Sequence, residues 1–164
     1  MKKLALNLFL SLFTLTLFSQ SGETAVEDPS FLQKIQGTWV NTNPGTIWEK
    51  VVISGDNFES YSASPKDGEW SLMKTYKLTI PVKVTKRNNY DGKLFTYSYV
   101  LSEEDGLGNY IAIFDEIVNG QRMIYSEVHN SRPESARRPN YAGDLQGGKR
   151  TYLKKVPSNF NPWQ

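Results

Sequence analysis

The chain has 164 residues, with 19 basic and 17 acidic side chains, one histidine and no cysteine. The absence of cysteine excludes disulfides, thiolate metal sites and cysteine nucleophiles. Residues 1–21 contain two lysines and no acidic residue, so 19 − 2 = 17 basic side chains face 17 acidic ones in the remainder, which is formally neutral. Neutrality argues against nucleic-acid partners, because sequence-independent binding depends on an excess of Lys and Arg.

Residues 1–21 have the pattern of a signal peptide. Two lysines precede an apolar run over residues 4–18, and three small residues suited to cleavage follow it: Ser19, Ser21 and Ala25. The run of about 15 residues is shorter than the ~20 that a spanning helix needs, and no cysteine follows it that lipid could modify. We expect an exported protein, periplasmic or extracellular, with no integral membrane anchor.

The next segment, residues 22–36, is predicted to be an N-terminal arm and a short helical turn. Residues 21–28 are polar and acidic, which is typical of a loose arm. Residues 29–36 are predicted as the helical turn, because Asp28 is a favourable N-cap residue and Pro29 suits the first helical position.

From Gly37 onward the pattern is all-β. Short runs rich in β-branched and aromatic residues alternate with turn residues, and none has the apolar period of a long helix. The eight predicted strands are residues 38–42, 46–54, 58–63, 70–85, 94–101, 110–118, 122–129 and 150–156. The fourth is long, and we expect it to bend near Lys74 or at Pro81, since proline cannot donate to a central ladder.

Tight turns join most of these strands. Asp91-Gly92 and Asn119-Gly120 are favoured in two-residue hairpins, because a type I′ turn needs positive φ at both central positions. Strands joined in this way form an up-and-down meander, and closing it into a barrel removes exposed edges. We expect an eight-stranded antiparallel barrel over residues 37–157, with a two-sheet sandwich as the alternative. A long connection over residues 130–149 precedes the last strand, and residues 158–164 form a C-terminal tail.

The two ends of this domain carry a family resemblance. Gly37-Thr38-Trp39 opens the first strand directly after the helical turn, and Arg150-Thr151-Tyr152 lies in the last strand. The arrangement resembles the calycin superfamily, above all its bacterial lipocalin-like domains. In lipocalins the G-x-W tryptophan closes one barrel end and a late arginine packs across it, which implies structural roles for Gly37, Trp39 and Arg150. The R-x-Y pattern is similar to that of fatty-acid-binding proteins, which implies that Arg150 and Tyr152 hold a ligand carboxylate.

Arg150 and Tyr152 therefore have two interpretations. At positions i and i+2 of a strand they share one face. If that face lines the lumen, a ligand carboxylate or phosphate would relieve the cost of an unpaired guanidinium. Otherwise Arg150 stacks on Trp39 and Tyr152 fills the core.

A second group of candidate ligand contacts is aromatic. Phe95, Tyr97 and Tyr99 alternate along one strand and so share a face. An eight-stranded barrel has an interior that is either filled by side chains or holds one small molecule. We expect these rings to form a wall for an apolar or ring-bearing ligand.

The sequence predicts no enzyme, cofactor or metal site. His129 is the single histidine, and Ser-His-Asp catalysis normally needs an oriented histidine as general base, so His129 is interpreted as a solvated strand-end residue. Residues 103–106 lack the ligand alternation of a calcium loop and are interpreted as a charged hairpin tip.

Two functional hypotheses follow. The first is a binding protein that holds a small apolar or amphipathic molecule in the barrel lumen. The second is a non-enzymatic interaction protein with a filled barrel that docks onto an envelope protein through its loops or a sheet face. The second is based on the arginines of residues 130–149 and on the tail aromatics Phe160 and Trp163, because aromatics on a terminus either pack on their own domain or contact a partner.

Overall fold

The computed structural model describes residues 23–43, 47–88, 91–129 and 151–164, and within them it contains one short helix and ten strands. The helix is α1 (Pro29–Lys34), and the strands are β1 (Thr24–Glu27), β2 (Gly37–Asn41), β3 (Trp48–Ser54), β4 (Asn57–Ala63), β5 (Ser71–Lys77), β6 (Val82–Arg87), β7 (Leu94–Leu101), β8 (Tyr110–Val118), β9 (Gln121–His129) and β10 (Leu153–Val156). The all-β prediction is confirmed. In the described ranges no helix is long and apolar enough to cross a membrane.

The strands form one antiparallel sheet in the order β1-β6-β7-β8-β9-β10-β2-β3-β4-β5. The meander expected from the sequence is present, and its first strand, β2, pairs with its last, β10, through Val40 and Lys154. The consecutive strands β5 and β6 are not neighbours in this order, so the sheet is open, with β1 and β5 at its edges. A closed eight-stranded barrel is therefore not confirmed.

The opening lies inside the segment that was predicted as one long strand. Residues 70–85 form two strands, β5 and β6, separated by residues 78–81, so the single-strand prediction is wrong. The interruption ends at Pro81, one of the two positions where a bend is expected. The backbone N–H of Leu78 donates to Asp56 O at 2.7 Å, and that of Thr79 donates to Leu101 O at 2.8 Å. Pro81 has no N–H to donate. After β5 the chain therefore stops pairing with β4 and crosses to the other end of the strand order, where β6 lies.

The prediction of a loose arm is also wrong in its described part. Thr24–Glu27 is β1, which pairs antiparallel with β6 from Thr24 opposite Thr85 to Glu27 opposite Val82. Its side chains are exposed, so the strand is held mainly by backbone hydrogen bonds. The N–H of Asp28 continues the contact by donating to Pro81 O at 2.8 Å.

Helix α1 begins at Pro29 as expected, but Asp28 makes no side-chain cap. Its carboxylate instead accepts hydrogen bonds from Ser30 Oγ at 2.6 Å and from Ser98 Oγ of β7 at 2.7 Å. These two bonds, that of Ser30 first, lower the pKa of Asp28. Asp28 thus ties the start of the helix to β7.

The turn predictions have mixed outcomes. Asn119 and Gly120 have φ values of 52° and 78° and connect β8 directly to β9, which confirms the two-residue hairpin. Asp91-Gly92 does not form one, because β6 ends at Arg87 and β7 begins at Leu94. In that longer loop Asn88 N donates to Lys93 O at 2.8 Å.

The last strand is shorter in the described residues than its predicted range. β10 begins at Leu153, and Thr151 and Tyr152 precede it. Arg150, the signal peptide over residues 1–21 and the connection over residues 130–149 lie outside the described residues, as does the start of the predicted second strand at Thr46.

The main core lies on one face of the sheet around Trp39. This side chain is fully buried, and its indole N–H donates to Ile35 O at 2.8 Å, which fixes the end of α1 against β2. The other core residues come from the helix and from both halves of the sheet: Phe31, Ile35, Val51, Ile53, Phe58, Tyr76, Leu78, Val100, Ile111, Ile113, Ile124 and Leu153. Because side chains of β5 and β7 pack in the same cluster, the sheet curves around this face.

A polar contact also links the two halves of the sheet. Asp105, in the loop after β7, accepts hydrogen bonds from Lys74 Nζ of β5 at 2.8 Å, Leu107 N at 2.9 Å and Asn109 N at 3.0 Å. The Lys74 hydrogen bond is the main cause of a strongly lowered pKa of Asp105. The hairpin tip predicted from residues 103–106 is therefore an ordered loop anchored to the β5 edge.

We expect Trp39→Phe to destabilise the fold by about 2 kcal/mol, because it removes the indole donor to Ile35 O and part of a fully buried ring. Urea unfolding followed by far-UV circular dichroism measures the change. Leu107→Ala, at a side chain that is 80% exposed, is the matched control and leaves the midpoint unchanged. An unaltered midpoint for Trp39→Phe would contradict the central role of this residue.

We expect Asp105→Asn to destabilise the protein near neutral pH and to lose this effect in acid. A carboxyl whose pKa is lowered by folding stabilises the native state above its unfolded pKa of about 3.9, and this stabilisation is lost as the pH falls towards the folded pKa. Unfolding midpoints of the wild type and the variant, measured from about pH 7 to about pH 2, should converge at the acid end. A difference that is independent of pH would refute the electrostatic explanation.

Candidate functional site: an aromatic row on one sheet face

Three of the residues predicted to contact a ligand stack along β7. Phe95, Tyr97 and Tyr99 occupy alternate positions, so their rings point to the same face. The ring centroids of Phe95 and Tyr97 are 6.0 Å apart with an interplanar angle of 17°, and those of Tyr97 and Tyr99 are 6.2 Å apart with an angle of 29°. The strand therefore presents a continuous ladder of ring faces.

The ladder continues across the sheet through residues that neighbouring strands place in register. Tyr99 lies opposite Phe114 of β8, which lies opposite Tyr125 of β9. The Phe114 ring is 5.7 Å from Tyr99 and stacks on Tyr125 at 5.1 Å with an angle of 12°. Tyr125 contacts Tyr152 edge to face at 5.6 Å. We call these six residues, from Phe95 to Tyr152, the aromatic row.

The middle of the aromatic row is buried and its ends are not. Phe114 is 1% exposed and Tyr125 is 2% exposed, and Val84 and Ala112 pack in the same cluster. Phe95 and Tyr152, at the two ends, are only partly buried. A molecule from solvent would therefore meet the row first at an end.

The two ends differ in charge. At the first end the ammonium of Lys86 lies 5.4 Å from the Phe95 ring centroid and 5.8 Å from that of Tyr97, within the range of cation–π attraction. At the other end the Tyr152 hydroxyl donates to Glu116 Oε2 at 2.9 Å. A ligand carboxylate at Tyr152 would thus meet an existing carboxylate, which would repel it.

Gly37 and Trp39 lie on the opposite face from the aromatic row. Because the sheet curves around the Trp39 face, Phe95, Tyr97 and Tyr99 lie on its outer face and do not line its interior, which differs from the expected lumen wall. Consecutive residues of β9 show this division, since Ile124 packs in the core with Trp39 and Tyr125 packs in the row. Gly37 has a φ of 115°, and a Cβ there would lie 3.0 Å from Lys155 Cε. Lys155 also places its Nζ 5.6 Å from the Trp39 ring centroid. Arg150 lies outside the described residues, so its predicted contact with Trp39 stays a prediction.

The aromatic row is suited mainly to contacts with apolar groups. Its members offer ring faces and phenol hydroxyls, and the two charged neighbours, Lys86 and Glu116, lie at opposite ends. His129, at the end of β9, is 3.8 Å from Glu127 Oε2, and burial lowers its pKa. Within the described ranges no group of three or more side chains is arranged to hold a metal ion.

Sequence reasoning found Phe95, Tyr97, Tyr99 and Tyr152, but it did not join the first three to Tyr152. The connection is made by Phe114, Tyr125 and Glu116, none of which is among the ligand contacts predicted from the sequence. The alternation of Phe114 with buried Ile111 and Ile113 was readable as a second apolar face of β8. The sequence does not indicate the register that brings Phe114 beside Tyr99, because that register depends on pairing between strands.

Comparisons with protein-family models, with curated proteins and with solved structures found no match.

We expect Phe114→Ala to destabilise the protein by about 3–5 kcal/mol, since it opens a cavity at the centre of the aromatic row. Chemical unfolding measures the loss. Leu94→Ala, at a β7 side chain that is 62% exposed, is the control and should change the stability by less than about 0.5 kcal/mol. Equal effects of the two substitutions would mean that the row is not a packed unit.

Proposed function

We propose that this chain is an exported, lipocalin-like protein that binds a small apolar or amphipathic molecule against the aromatic row. One observation carries the proposal. Phe95, Tyr97, Tyr99 and Tyr152, which come from separate parts of the sequence, belong to a single network of ring contacts. The partly exposed rings at the two ends of this network, Phe95 and Tyr152, are a favourable surface for an apolar body, because ring stacking adds to the free energy of removing apolar area from water.

The lipocalin-like part of the proposal rests on topology. In an up-and-down barrel the first and last strands of the meander pair, and β2 pairs with β10 here. The core under Trp39 draws on both halves of the curved sheet, as expected for a tryptophan that closes one barrel end. The break between β5 and β6, where β1 adds to the β6 edge, distinguishes this chain from a fully closed barrel.

The charged ends of the aromatic row support an amphipathic ligand as well as an apolar one. Lys86 is placed to attract an anionic head group, whereas Glu116 is placed to attract a cationic one. Either head group would leave the apolar body to pack against the partly exposed ring at that end of the row. Binding of this kind needs no catalytic group, so the proposal is for a non-enzymatic protein.

The interaction-protein hypothesis receives less support. Of the tail aromatics that motivated it, Trp163 packs against Trp48 and Trp70 of the same chain, and its indole N–H donates to Pro65 O at 3.1 Å. The β5 edge does expose Leu72 and Met73, which would suit docking through a sheet edge. Failure of every small-molecule ligand, together with capture of an envelope protein, would favour this alternative.

The experiment is native mass spectrometry of the protein from its own host, followed by thermal-shift titration with long-chain carboxylates, alkyl ammonium compounds and sterols. We expect one class to raise Tm, because a ligand at 100 times its Kd stabilises by about 2.7 kcal/mol. Phe95→Ala should weaken binding about tenfold. Its neighbour Leu94 points to the other face of β7, so Leu94→Ala should bind as the wild type does.

Two outcomes would overturn the proposal. One is the absence of both a co-purified molecule and a ligand-induced shift. The other is equal binding by Phe95→Ala and Leu94→Ala, which would place the ligand away from the aromatic row.

A further inference from the structure

A second aromatic group lies on β3 and β5, away from the aromatic row. Three indoles meet there: Trp48 at the start of β3, Trp70 just before β5, and Trp163 in the C-terminal tail. The Trp163 ring is 5.5 Å from each of the other two, and those two are 6.5 Å apart. We call these three residues the tryptophan cluster.

Two of the indole N–H groups in this cluster have no acceptor among the residues that the structure describes. Nε1 of Trp48 and Nε1 of Trp70 are both buried and make no hydrogen bond, whereas Nε1 of Trp163 donates to Pro65 O. Buried donors are nearly always paired, because burial removes their hydrogen bonds to water. Two unpaired donors on adjacent rings therefore leave hydrogen-bonding capacity that an acceptor on a bound molecule would satisfy.

Lys50 adds a positive charge beside these donors. It follows Trp48 by two residues on β3 and so lies on the same face. Its Nζ is 4.0 Å from the Tyr61 ring centroid and 5.1 Å from that of Trp70. Burial lowers the pKa of Lys50, while nearby Glu59 acts in the opposite direction.

The carboxylate that acts on the Lys50 ammonium, that of Glu59, is already engaged. Glu59 Oε2 accepts a hydrogen bond from the Tyr61 hydroxyl at 2.5 Å. Among the described residues, no carboxylate lies within ion-pair distance of Lys50. The ammonium is therefore half-buried against rings without a direct anionic partner.

The polar groups of this site are all hydrogen-bond donors. An indole N–H and an ammonium are hydrogen-bond donors that offer no acceptor, so the complementary group is one that only accepts. We propose that the tryptophan cluster and Lys50 form a binding site for a small organic carboxylate with an aromatic or apolar body. The carboxylate oxygens accept from Trp48, Trp70 and Lys50, and the body packs against the indole rings. This site is independent of the ligand proposed for the aromatic row.

The test is titration of the full mature chain with benzoate, followed by tryptophan fluorescence. Three of the four tryptophans belong to the cluster, and the fourth, Trp39, is fully buried in the separate core and gives a constant background. We expect a saturable change in emission. Benzamide has nearly the same shape without the charge and should bind at least tenfold more weakly, since charge-assisted hydrogen bonds are about twice as strong as neutral ones.

Variants assign the binding to named groups. Lys50→Met keeps most of the side-chain length and removes the charge, so benzoate affinity should fall at least tenfold. Lys34→Met, at an exposed lysine of α1 that belongs to neither aromatic group, is the matched control and should bind as the wild type does. Trp48→Phe and Trp70→Phe keep a ring and remove one donor each, and each should weaken benzoate binding about fivefold while the ligand-free unfolding midpoint changes little.

Several results would overturn the proposal: no saturable response to benzoate, equal affinity for benzamide, or unchanged affinity in Lys50→Met. Inorganic phosphate as a second probe tests the apolar body, and phosphate binding as tight as that of benzoate would overturn the assignment to an organic anion. The benzamide and phosphate comparisons use the wild-type chain, so they decide the question even where a variant fails to fold.

Discussion

The position of β10 between β9 and β2 is the constraint on which the rest of the structure depends. This four-residue strand joins the end of the meander to its beginning. Leu153 packs in the core around Trp39, and Tyr152, one residue earlier, packs against Tyr125 on the other face. A short strand thus fixes both apolar layers, and neither layer would be complete if the last segment were unpaired.

The central strands are buried on both faces, and this burial makes the aromatic row rigid. The four residues from Ile111 to Phe114 are all buried, with Ile111 and Ile113 in the core and Ala112 and Phe114 in the cluster that contains the row. The rings are held by strand register and by the core packed on the opposite face of the sheet. They cannot shift independently, because protein interiors are close-packed and have few voids. A ligand against the row would therefore meet a rigid surface, and most of the conformational entropy lost on binding would be that of the ligand.

The sequence predicted those features that depend on local chemistry. The all-β pattern, the Asn119-Gly120 hairpin, the helix starting at Pro29 and the shared face of Phe95, Tyr97 and Tyr99 all follow from residue type and a two-residue period. Pairing between distant segments was not predictable, since local patterns do not specify register. This is why β1 and the packing of Trp163 on Trp48 were not predicted, and why only a bend, and not a complete separation of β5 from β6, was expected at Pro81.

The open edge at β5 has a consequence for solution behaviour. Among the described strands β5 has a partner on one side only, and on the other side its Lys77 O accepts from Glu103 N at 2.7 Å. The rest of that edge, with exposed Leu72 and Met73, is a template for pairing with another chain, and such edges promote aggregation. Lys74 and Lys77 lie on the same strand, each paired with an aspartate of a neighbouring loop and each about half exposed. A second β5 approaching this edge would bring like charges together and displace those ion pairs. The two lysines therefore oppose the pairing of a second chain with the part of the β5 edge that no described strand covers.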